Sequence, residues 1–294
     1  MLASFSNDPS LSNVVYGFKN YTELELGNLN ILLSVPHDGS LRPPEIPNRE
    51  NDLNGNLKND KNTRRFTKSL KNELEILFFT HQDIKLIPFV LYNNLHRIKM
   101  DPNRDLENCC HITNQDAHTA YKDYHSMIEI CFRKNFVLSN NFDQGLILDI
   151  HGNSHEEQWI ELGYLLKKSD LENDKLSNSL NTSIRSMASK SFLSLEEMIR
   201  GEKVSLGSLI ETKSNIKVVP SPGFKSPKEG NYYSGGFITE CHGSFYDTSK
   251  RLNSIQIELP MWMRTDKYIE FSAKHIAKAI FEFYELHSLN SLKI

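Results

Sequence analysis

Short apolar runs alternate with longer amphipathic segments along the chain. The apolar runs are rich in branched side chains and bounded by turn residues, as buried strands are; they span residues 29–36, 84–92, 145–150 and 254–260. Apolar residues recur at helical spacing in three longer segments, at 62–82, 114–134 and 265–287. This alternation predicts an α/β fold with three α/β/α layers, in which helices cover both faces of a mixed, largely parallel sheet.

A polar stretch interrupts the alternation. From about residue 167 to 232, Ser, Asn, Lys and Glu dominate, and the pattern predicts only short helices around 176–188, 193–200 and 206–212. A chain of 294 residues is long for one domain, but α/β folds often reach this size as a single unit. We therefore predict one domain over residues 1–294, with the polar stretch as an excursion that shapes the mouth of a pocket.

Three of the four predicted strands end on side chains that can carry chemistry. His37 follows the first strand, His151 ends the third, and Glu258 ends the last. In an open parallel sheet, ligands bind outside the carboxyl ends of the strands, so these residues are predicted to share one crevice. Asp149 lies two residues before His151 and therefore faces the same side of the strand.

Two arginines follow the second predicted strand. Arg97 and Arg104 are seven residues apart, with Asp101 and Asn103 between them. A guanidinium group grips a carboxylate through two parallel hydrogen bonds, which suits recognition of an anionic substrate. Structural ion pairs with Asp101 and the neighbouring Asp105 are the alternative interpretation.

The residue types at the strand ends suit a metal-dependent hydrolase. A catalytic zinc usually has three protein ligands, and imidazole nitrogens with one carboxylate form a common set. A second carboxylate beside the site can take a proton from water and pass it to a leaving nitrogen. Without a G-x-S-x-G sequence, a serine hydrolase with a nucleophile elbow is disfavoured.

Composition narrows the possible partners. A formal net charge of −3 and a pI near 6.4 argue against nucleic acid. The chain has neither a signal-peptide pattern at its start nor an apolar run long enough to span a bilayer, so we expect no membrane association and a cytoplasmic location. The cysteines form no C-x-x-C pair and are interpreted as free buried thiols: Cys109, Cys110, Cys131 and Cys241. His118 and His125, seven residues apart, are interpreted as a solvated helix stripe.

Five motifs together resemble the N-formylglutamate amidohydrolase-like proteins, which are relatives of the zinc carboxypeptidases and aspartoacylases. In chain order they are "SVPHDGS", "DKNT", "HRIKMDPNR", "LDIHGNSH" and "GGFITECHGSF…IQIELP", within residues 30–285. The resemblance implies a zinc-carboxypeptidase-like fold, a single zinc ion, and hydrolysis of an amide bond next to a free carboxylate. The substrate would be N-formylglutamate, another N-acyl amino acid, or a peptide with a free carboxyl end.

The resemblance also suggests roles for individual residues. It implies that His37 and His151 are zinc ligands and that Glu258 is the general base. Arg97 is placed at the scissile carbonyl, whereas Arg104 and Asn103 bind the substrate carboxylate. The chain departs from the carboxypeptidases at the third ligand, because Ser40 stands where they have Glu. Asp60 is the preferred third ligand and Glu45 the second candidate.

Two further expectations concern the surroundings of the site. Asp149 is expected beside His151 as a carboxylate that orients it, with a cap of the Gly152 turn as the alternative. The segment 221–243 contains two prolines and several glycines, and we expect it to form a mobile rim. Tyr232 or Tyr233 from this rim is predicted to contact substrate, although packing against the sheet is an equal alternative.

Two other functions remain open at this point. A carboxypeptidase-like peptidase would need an open groove instead of a closed pocket. A metal-free, non-catalytic relative would bind carboxylated ligands or protein partners without turnover. Metal content distinguishes this second alternative from both enzymes.

Overall fold

Eight strands form one mixed sheet in the part of the chain that the computed structural model describes, which is residues 13–49, 56–83, 85–139, 144–214, 216–247, 249 and 251–287. The strands are β1 Val14–Tyr16, β2 Thr22–Glu25, β3 Ile31–Val35, β4 Phe89–Asn93, β5 Gly145–Asn153, β6 Ile160–Gly163, β7 Val218–Val219 and β8 Leu252–Pro260. Their order across the sheet is β1-β2-β4-β3-β5-β8-β6-β7.

The centre of the sheet is parallel and its margins are mixed. Strands β4, β3, β5 and β8 are neighbours and run parallel. They correspond to the four strands that the sequence predicts. Strand β2 pairs antiparallel with β4, and β6 pairs antiparallel with β8, so each side of the parallel core is flanked by a reversed strand. The apolar pattern did not reveal the short strands β1, β2, β6 and β7.

Helices cover both faces of the sheet, which confirms the three-layer arrangement. The long helices are α1 Thr63–Gln82, α2 Gln115–Ser139 and α8 Ile269–Leu286, close to their predicted ranges. Helices α1 and α8 pack together on one face, in the cluster that contains Phe66, Leu70 and Ile276. Helix α2 covers the other face with Tyr124 and Ile128. The helices are amphipathic because only one side of each meets the sheet.

Side-chain alternation in β5 and β8 divides apolar from polar residues. Leu148 and Ile150 of β5, like Ile255 and Ile257 of β8, point into the core beneath α1 and α8. The residues between them therefore face the α2 side. This second set includes the polar residues at the strand ends: Asp149, His151, Gln256 and Glu258. The strand period thus places the polar residues of two neighbouring strands together.

The polar excursion is built of short elements that pack on the same core. They are α3 Lys168–Leu171, α4 Arg185–Lys190, α5 Leu195–Arg200, α6 Leu206–Ser214 and β7. The second and third predicted helices agree with α5 and α6, but the first prediction, 176–188, begins too early. Leu176 and Ile184 instead pack in the core from a segment outside any helix, and the helix begins at Arg185. None of the described helices is apolar and long enough to cross a bilayer.

Candidate active site

Two buried histidines converge on one carboxylate at the carboxyl edge of the sheet. His37 follows β3, and its Nδ1 lies 3.1 Å from Oδ2 of Asp60. His151 lies on the adjacent strand β5, and its Nδ1 lies 3.3 Å from the same oxygen. The two imidazole rings meet edge to face with centroids 4.7 Å apart. One ligand atom from each of the three residues lies within 4.8 Å of the others, a spacing that one metal ion can bridge.

Each imidazole also contacts another buried aspartate through its second ring nitrogen. Nε2 of His37 lies 2.7 Å from Oδ1 of Asp101, and Nε2 of His151 lies 2.8 Å from Oδ2 of Asp149. Donation of the Nε2 proton to these carboxylates leaves the Nδ1 lone pair of each ring available. This arrangement is typical of metal-binding histidines, whose other ring nitrogen donates to a carboxylate or carbonyl. The position of Asp149 confirms that it lies beside His151.

Asp60 is fixed by the backbone around it. Its N–H donates to the carbonyl of His37 at 2.9 Å, and the N–H of Gly152 donates to its Oδ2 at 3.2 Å. Gly152 has no room for a side chain, because a Cβ there would meet the guanidinium of Arg264 at 2.3 Å. Burial would raise the pKa of Asp60, but the neighbouring His37 and His151 lower it well below its ordinary value. The carboxylate is therefore ionised, as a metal ligand must be.

The other candidate for the third ligand lies elsewhere. Glu45 is exposed, and its Oε1 accepts a hydrogen bond from the hydroxyl of Tyr21 at 3.1 Å. Lys19 lies 3.9 Å from the same oxygen. Only Asp60 of the two candidates groups with His37 and His151. Two imidazoles and one carboxylate with oriented outer hydrogen bonds fit zinc, so the residues present suit the ion that the sequence predicts.

Glu258 lies directly beside this centre. It pairs in register with His151 across β5 and β8, and its Oε1 is 4.0 Å from Nδ1 of that histidine. The amide of Gln256 donates to the same Oε1 at 3.0 Å. Burial raises the pKa of Glu258 to about 8, although His151 opposes the shift. A carboxyl group with such a pKa can both take and return a proton near neutral pH.

Arg97 belongs to a buried network around Asp101. Its Nε donates to Oδ2 of Asp101 at 2.9 Å, and Nη1 lies 3.6 Å from Oδ1 of Asp60. Arg49 donates to the same Oδ2 of Asp101 at 3.4 Å. The ion pair proposed as the structural alternative is therefore present. Arg97 also lines the cavity described below, so its predicted role in turnover stays a prediction.

Arg104 and Asn103 are adjacent in one turn, but they differ in how deeply their side chains are buried. Arg104 is half-buried and lines the cavity, with Nη1 donating to the carbonyl of Asn103 at 3.0 Å. The Asn103 side chain is buried: Oδ1 accepts from the N–H of Ile238 at 2.9 Å, and Nδ2 donates to Gln256 at 3.4 Å. A Cβ at Gly236 would meet this amide at 2.4 Å, so the close approach requires glycine. Asn103 also lines the cavity, so its predicted contact with the substrate carboxylate stays a prediction.

The two rim tyrosines differ in where their hydroxyls lie. Tyr233 lines the cavity, and its ring stacks on His155 with centroids 4.8 Å apart. Its N–H donates to Oε2 of Glu161 at 2.7 Å. Tyr232 points away, because its hydroxyl donates to the carbonyl of Leu162 at 2.8 Å and its ring packs against the core. Of the two, only Tyr233 lines the described cavity, and its contact with substrate stays a prediction.

These groups surround a cavity of about 140 Å³. Its described lining consists of His37, Asn56, Asp60, Arg97, Asn103, Arg104, His151, Gly152, Tyr233, Gly235, Gly236, Gln256 and Glu258. The polar excursion contributes none of these lining residues, and its predicted role in shaping the mouth stays a prediction. From segment 221–243, Tyr233, Gly235 and Gly236 line the cavity just before helix α7, Phe237–His242. Whether that rim is mobile stays a prediction.

Sequence reasoning missed several members of the site. Gln256 could have been found, because strand alternation places it on the same face as Glu258. The sequence indicates Asp101 only as an arginine partner, because its contact with His37 depends on a turn that no periodic pattern describes. Glu161 lies on β6, a strand too short to give an alternation signal, and pairs in register with Glu258.

The prediction that His118 and His125 form a solvated stripe on α2 is wrong. His118 and His125 are both half-buried. Nδ1 of His125 lies 2.7 Å from Nε2 of His242, and the two rings stack with centroids 5.0 Å apart. Burial lowers the pKa of His125 to about 4, so this imidazole is neutral at pH 7. The prediction fails at His125 because its partner, His242, lies on α7, a helix that the sequence pattern does not predict.

Comparison with known proteins supports the fold. No protein-family model and no curated protein sequence matches the chain. The crystal structure of N-formylglutamate amidohydrolase from Ralstonia eutropha JMP134 aligns with 90% of this chain and 98% of its own, at a TM-score of 0.53 and 12% sequence identity. The chain has the fold of an N-formylglutamate amidohydrolase. The resemblance inferred from the motifs is thus confirmed at the level of fold.

A second solved structure is more distant. The N-acetylmuramyl-L-alanine amidase Ami1 from Mycobacterium smegmatis aligns with 87% of this chain and 96% of its own, at a TM-score of 0.41 and 10% identity. Only the first comparison is close enough to support a shared fold. The chemistry must therefore be argued from the residues of this chain.

Proposed function

We propose that this chain is a metal-dependent amidohydrolase that cleaves an amide bond near the free carboxylate of a small N-acyl amino acid. One observation carries the proposal. The Nδ1 atoms of His37 and His151 converge on Asp60, while both Nε2 atoms are held by buried aspartates. A structural role for the three residues alone would not require both rings to turn the same nitrogen inward.

The metal would be held by His37, His151 and Asp60. Zinc suits this donor set, and when bound it would polarise the scissile carbonyl and make a water molecule more acidic. Asp101 and Asp149 supply the outer hydrogen bonds that fix the imidazole tautomers. Asp60 would be available as a ligand throughout the neutral range, because its pKa is held low.

Glu258 is assigned the proton transfers. It faces the cavity from β8, next to the ligand triad. As general base it would take a proton from the attacking water, and as general acid it would deliver that proton to the leaving nitrogen. The hydrogen bond from Gln256 holds one carboxylate oxygen and thereby orients the group.

The arginines and Tyr233 would bind the rest of the substrate. Arg104 lies at the cavity wall in a half-buried position, which suits recognition of a carboxylate that is partly desolvated. Arg97 is more deeply buried and anchored on Asp101, so its fixed charge can stabilise negative charge that develops on the carbonyl oxygen. Tyr233 lines the cavity and would supply a hydroxyl.

The size of the cavity favours a small substrate over a peptide. A volume of about 140 Å³ is below the range of roughly 300–1,000 Å³ that is usual for ligand pockets. Tyr233, Gly235 and Gly236 form one side of it. A carboxypeptidase-like peptidase would need an open groove for the residues before the scissile bond, and a cavity of this volume would hold little of a peptide.

Metal analysis and a substrate screen test the proposal. Purified protein should contain, or take up, one zinc ion per chain at the cavity centre, and His151→Ala should lose most of this ion. The zinc-loaded protein should hydrolyse one or more N-acyl amino acids and leave the matching carboxamides largely uncleaved. Failure to bind zinc would contradict the proposal and favour a metal-free binding protein, whereas faster cleavage of peptides would favour the peptidase.

A further inference from the structure

A second group of metal-binding side chains lies outside the cavity. Cys109 and Cys110 are adjacent in the chain, and their sulfur atoms are 3.3 Å apart. Neighbouring residues often direct their side chains apart, so this convergence is a specific feature of the turn. Cys109 is fully buried, and 6% of Cys110 is exposed. An ion could therefore reach the pair from the side of Cys110.

A histidine from the next helix completes the group. His118 lies in the first part of α2, and a ligand atom of its ring is within 4.8 Å of both sulfur atoms. Its Nε2 lies 3.0 Å from the carbonyl of Ile112. Donation of the Nε2 proton to that carbonyl leaves the lone pair on Nδ1, which is the pattern expected of a histidine prepared to bind metal.

The backbone around the cysteines is pinned, so the group is already assembled. The carbonyl of Cys109 accepts a hydrogen bond from the N–H of Asp101 at 2.7 Å, and Cys110 forms an antiparallel bridge with Met100. A site whose ligands are held in place before binding loses less conformational entropy when the ion arrives.

A charged side chain lies near the cysteine pair. Arg49 donates to the carbonyl of Asn108 and lies close enough for its positive charge to act on both cysteines. Its charge is offset on the other side by Asp101, to which Nη1 donates at 3.4 Å. The hydrogen bond from the Cys109 thiol, together with Arg49, lowers the pKa of Cys110, whereas that hydrogen bond and burial raise the pKa of Cys109. The thiolate is therefore favoured at Cys110 and not at Cys109.

We propose that Cys109, Cys110 and His118 form a second metal site, specific for a thiophilic d¹⁰ cation of the class of Zn²⁺, Cd²⁺ or Cu⁺. Two sulfur donors and one imidazole are the ligands that such ions prefer, whereas Mg²⁺ and Ca²⁺ require oxygen. The site differs from the cavity centre in donor chemistry, because His37, His151 and Asp60 offer nitrogen and oxygen only.

This difference in donors provides the test. Zinc-loaded protein, reduced with a phosphine instead of a thiol, is titrated with Cd²⁺ while the ultraviolet spectrum is recorded. Binding at the cysteine pair should produce a thiolate-to-cadmium charge-transfer band that saturates at one equivalent. Replacement of zinc by cadmium at the cavity centre would produce no such band, since no sulfur is present there.

Variants identify the ligands. Cys109→Ser combined with Cys110→Ser should abolish the band. His118→Ala should raise the dissociation constant at least about tenfold, because losing even an outer partner of a metal ligand costs that much. His118 is only half-buried, so this variant should fold even if the double variant does not, which circular dichroism will show. Cys131→Ala, at a buried cysteine elsewhere on α2, is the matched control and should bind like the wild type.

The two metal sites can succeed or fail separately. His151→Ala should lose zinc at the cavity and keep the cadmium band, which distinguishes this proposal from the proposed function. Absence of a saturable band in the wild type would overturn the second site. The same conclusion would follow if His118→Ala bound Cd²⁺ as tightly as the wild type and the serine variant retained the band.

Discussion

The carboxylate of Asp149 lies 2.8 Å from Nε2 of His151, and both side chains are buried on the same face of β5. The other oxygen of Asp149 accepts a hydrogen bond from the hydroxyl of Ser34 at 2.6 Å on the neighbouring strand β3. The aspartate is therefore fixed independently of the histidine. Its function can be separated from that of the ligand itself.

Asp149→Asn should weaken zinc binding by about 10- to 100-fold, which is the usual effect of losing an outer carboxylate partner. An amide can present its NH₂ to Nε2 and stabilise the tautomer whose proton is on Nδ1, where the metal would bind. Competition with a chromophoric chelator measures the affinity. Asp174→Asn, at an exposed position, is the control. Unchanged zinc affinity in Asp149→Asn would remove this residue from the metal centre.

Glu258→Gln should produce a folded, zinc-loaded protein whose turnover is lower by about 10²–10⁴-fold. Glutamine keeps the shape and can still accept the hydrogen bond from Gln256, but it cannot take a proton from water. Thermal stability should remain close to that of the wild type, because burial already raises the pKa of Glu258 to about 8 and favours a neutral side chain. Near-normal turnover in this variant would exclude Glu258 as the base.

Arg104→Lys should raise KM by about tenfold, equivalent to about 1.4 kcal/mol of binding, with a smaller effect on turnover. Lysine keeps the charge but loses the planar fork that binds a carboxylate through two hydrogen bonds. Steady-state kinetics with an N-acyl amino acid and its carboxamide provide the measurement. The variant should discriminate less between the two substrates, whereas Arg65→Lys on the exposed side of α1 should not change the ratio.

The sequence predicted the parts of the site that lie on regular elements. His37, His151 and Glu258 all follow or end central parallel strands, and the carboxyl ends of such strands must meet at one edge. The two-residue period placed Asp149 with His151 for the same reason. Asp60 could only be preferred over Glu45, because it lies before a helix in a loop whose path has no periodic signal. The structure groups it with the histidines.

What the sequence could not show depends on contacts between distant, irregular segments. Strand β6 pairs with β8, but its four residues are too few to show a strand pattern in the sequence. Glu161 therefore reached the site unpredicted. The sequence indicates only two buried thiols at the cysteine pair, since adjacency in sequence does not reveal that the sulfur atoms converge or that His118 lies near them. Predicting such contacts requires knowledge of the path that the chain takes through each turn.

Stability should fall as pH rises because of Glu161. Burial raises its pKa from the ordinary 4.5 to about 8, and burial also lowers the pKa of His155, whose Nδ1 lies 2.7 Å from Oε1 of Glu161. The pair is thus a protonated carboxyl group that donates to a neutral imidazole. Between pH 4.5 and about 8 the folded chain holds a proton that the unfolded chain has released, so stability decreases across this window.

Glu161→Gln should remove this dependence. The free energy of unfolding of the variant, relative to the wild type, should increase with pH across the window by up to about 1.4 kcal/mol per pH unit. Urea unfolding at several pH values measures the difference. Glu156→Gln, an exposed residue on the loop before β6, should follow the wild type. Parallel pH profiles for Glu161→Gln and wild type would show that Glu161 is ionised in the folded protein.

The same substitution at the two rim tyrosines should affect different properties: stability at Tyr232 and turnover at Tyr233. Tyr232→Phe removes the hydroxyl that donates to the carbonyl of Leu162 and should lower stability by about 1–3 kcal/mol, since a buried acceptor loses its partner. Its turnover should be unchanged.

Tyr233→Phe keeps the stacking on His155 and the backbone hydrogen bond to Glu161, so stability should be retained. Tyr233 lines the cavity, and losing its hydroxyl should lower turnover by about 10²-fold, as the loss of one donor to a developing charge does. Thermal unfolding and steady-state kinetics on both variants decide the assignment. If Tyr233→Phe keeps full turnover, the rim tyrosine contributes packing alone, and Arg97 becomes the main candidate for stabilising the carbonyl oxygen.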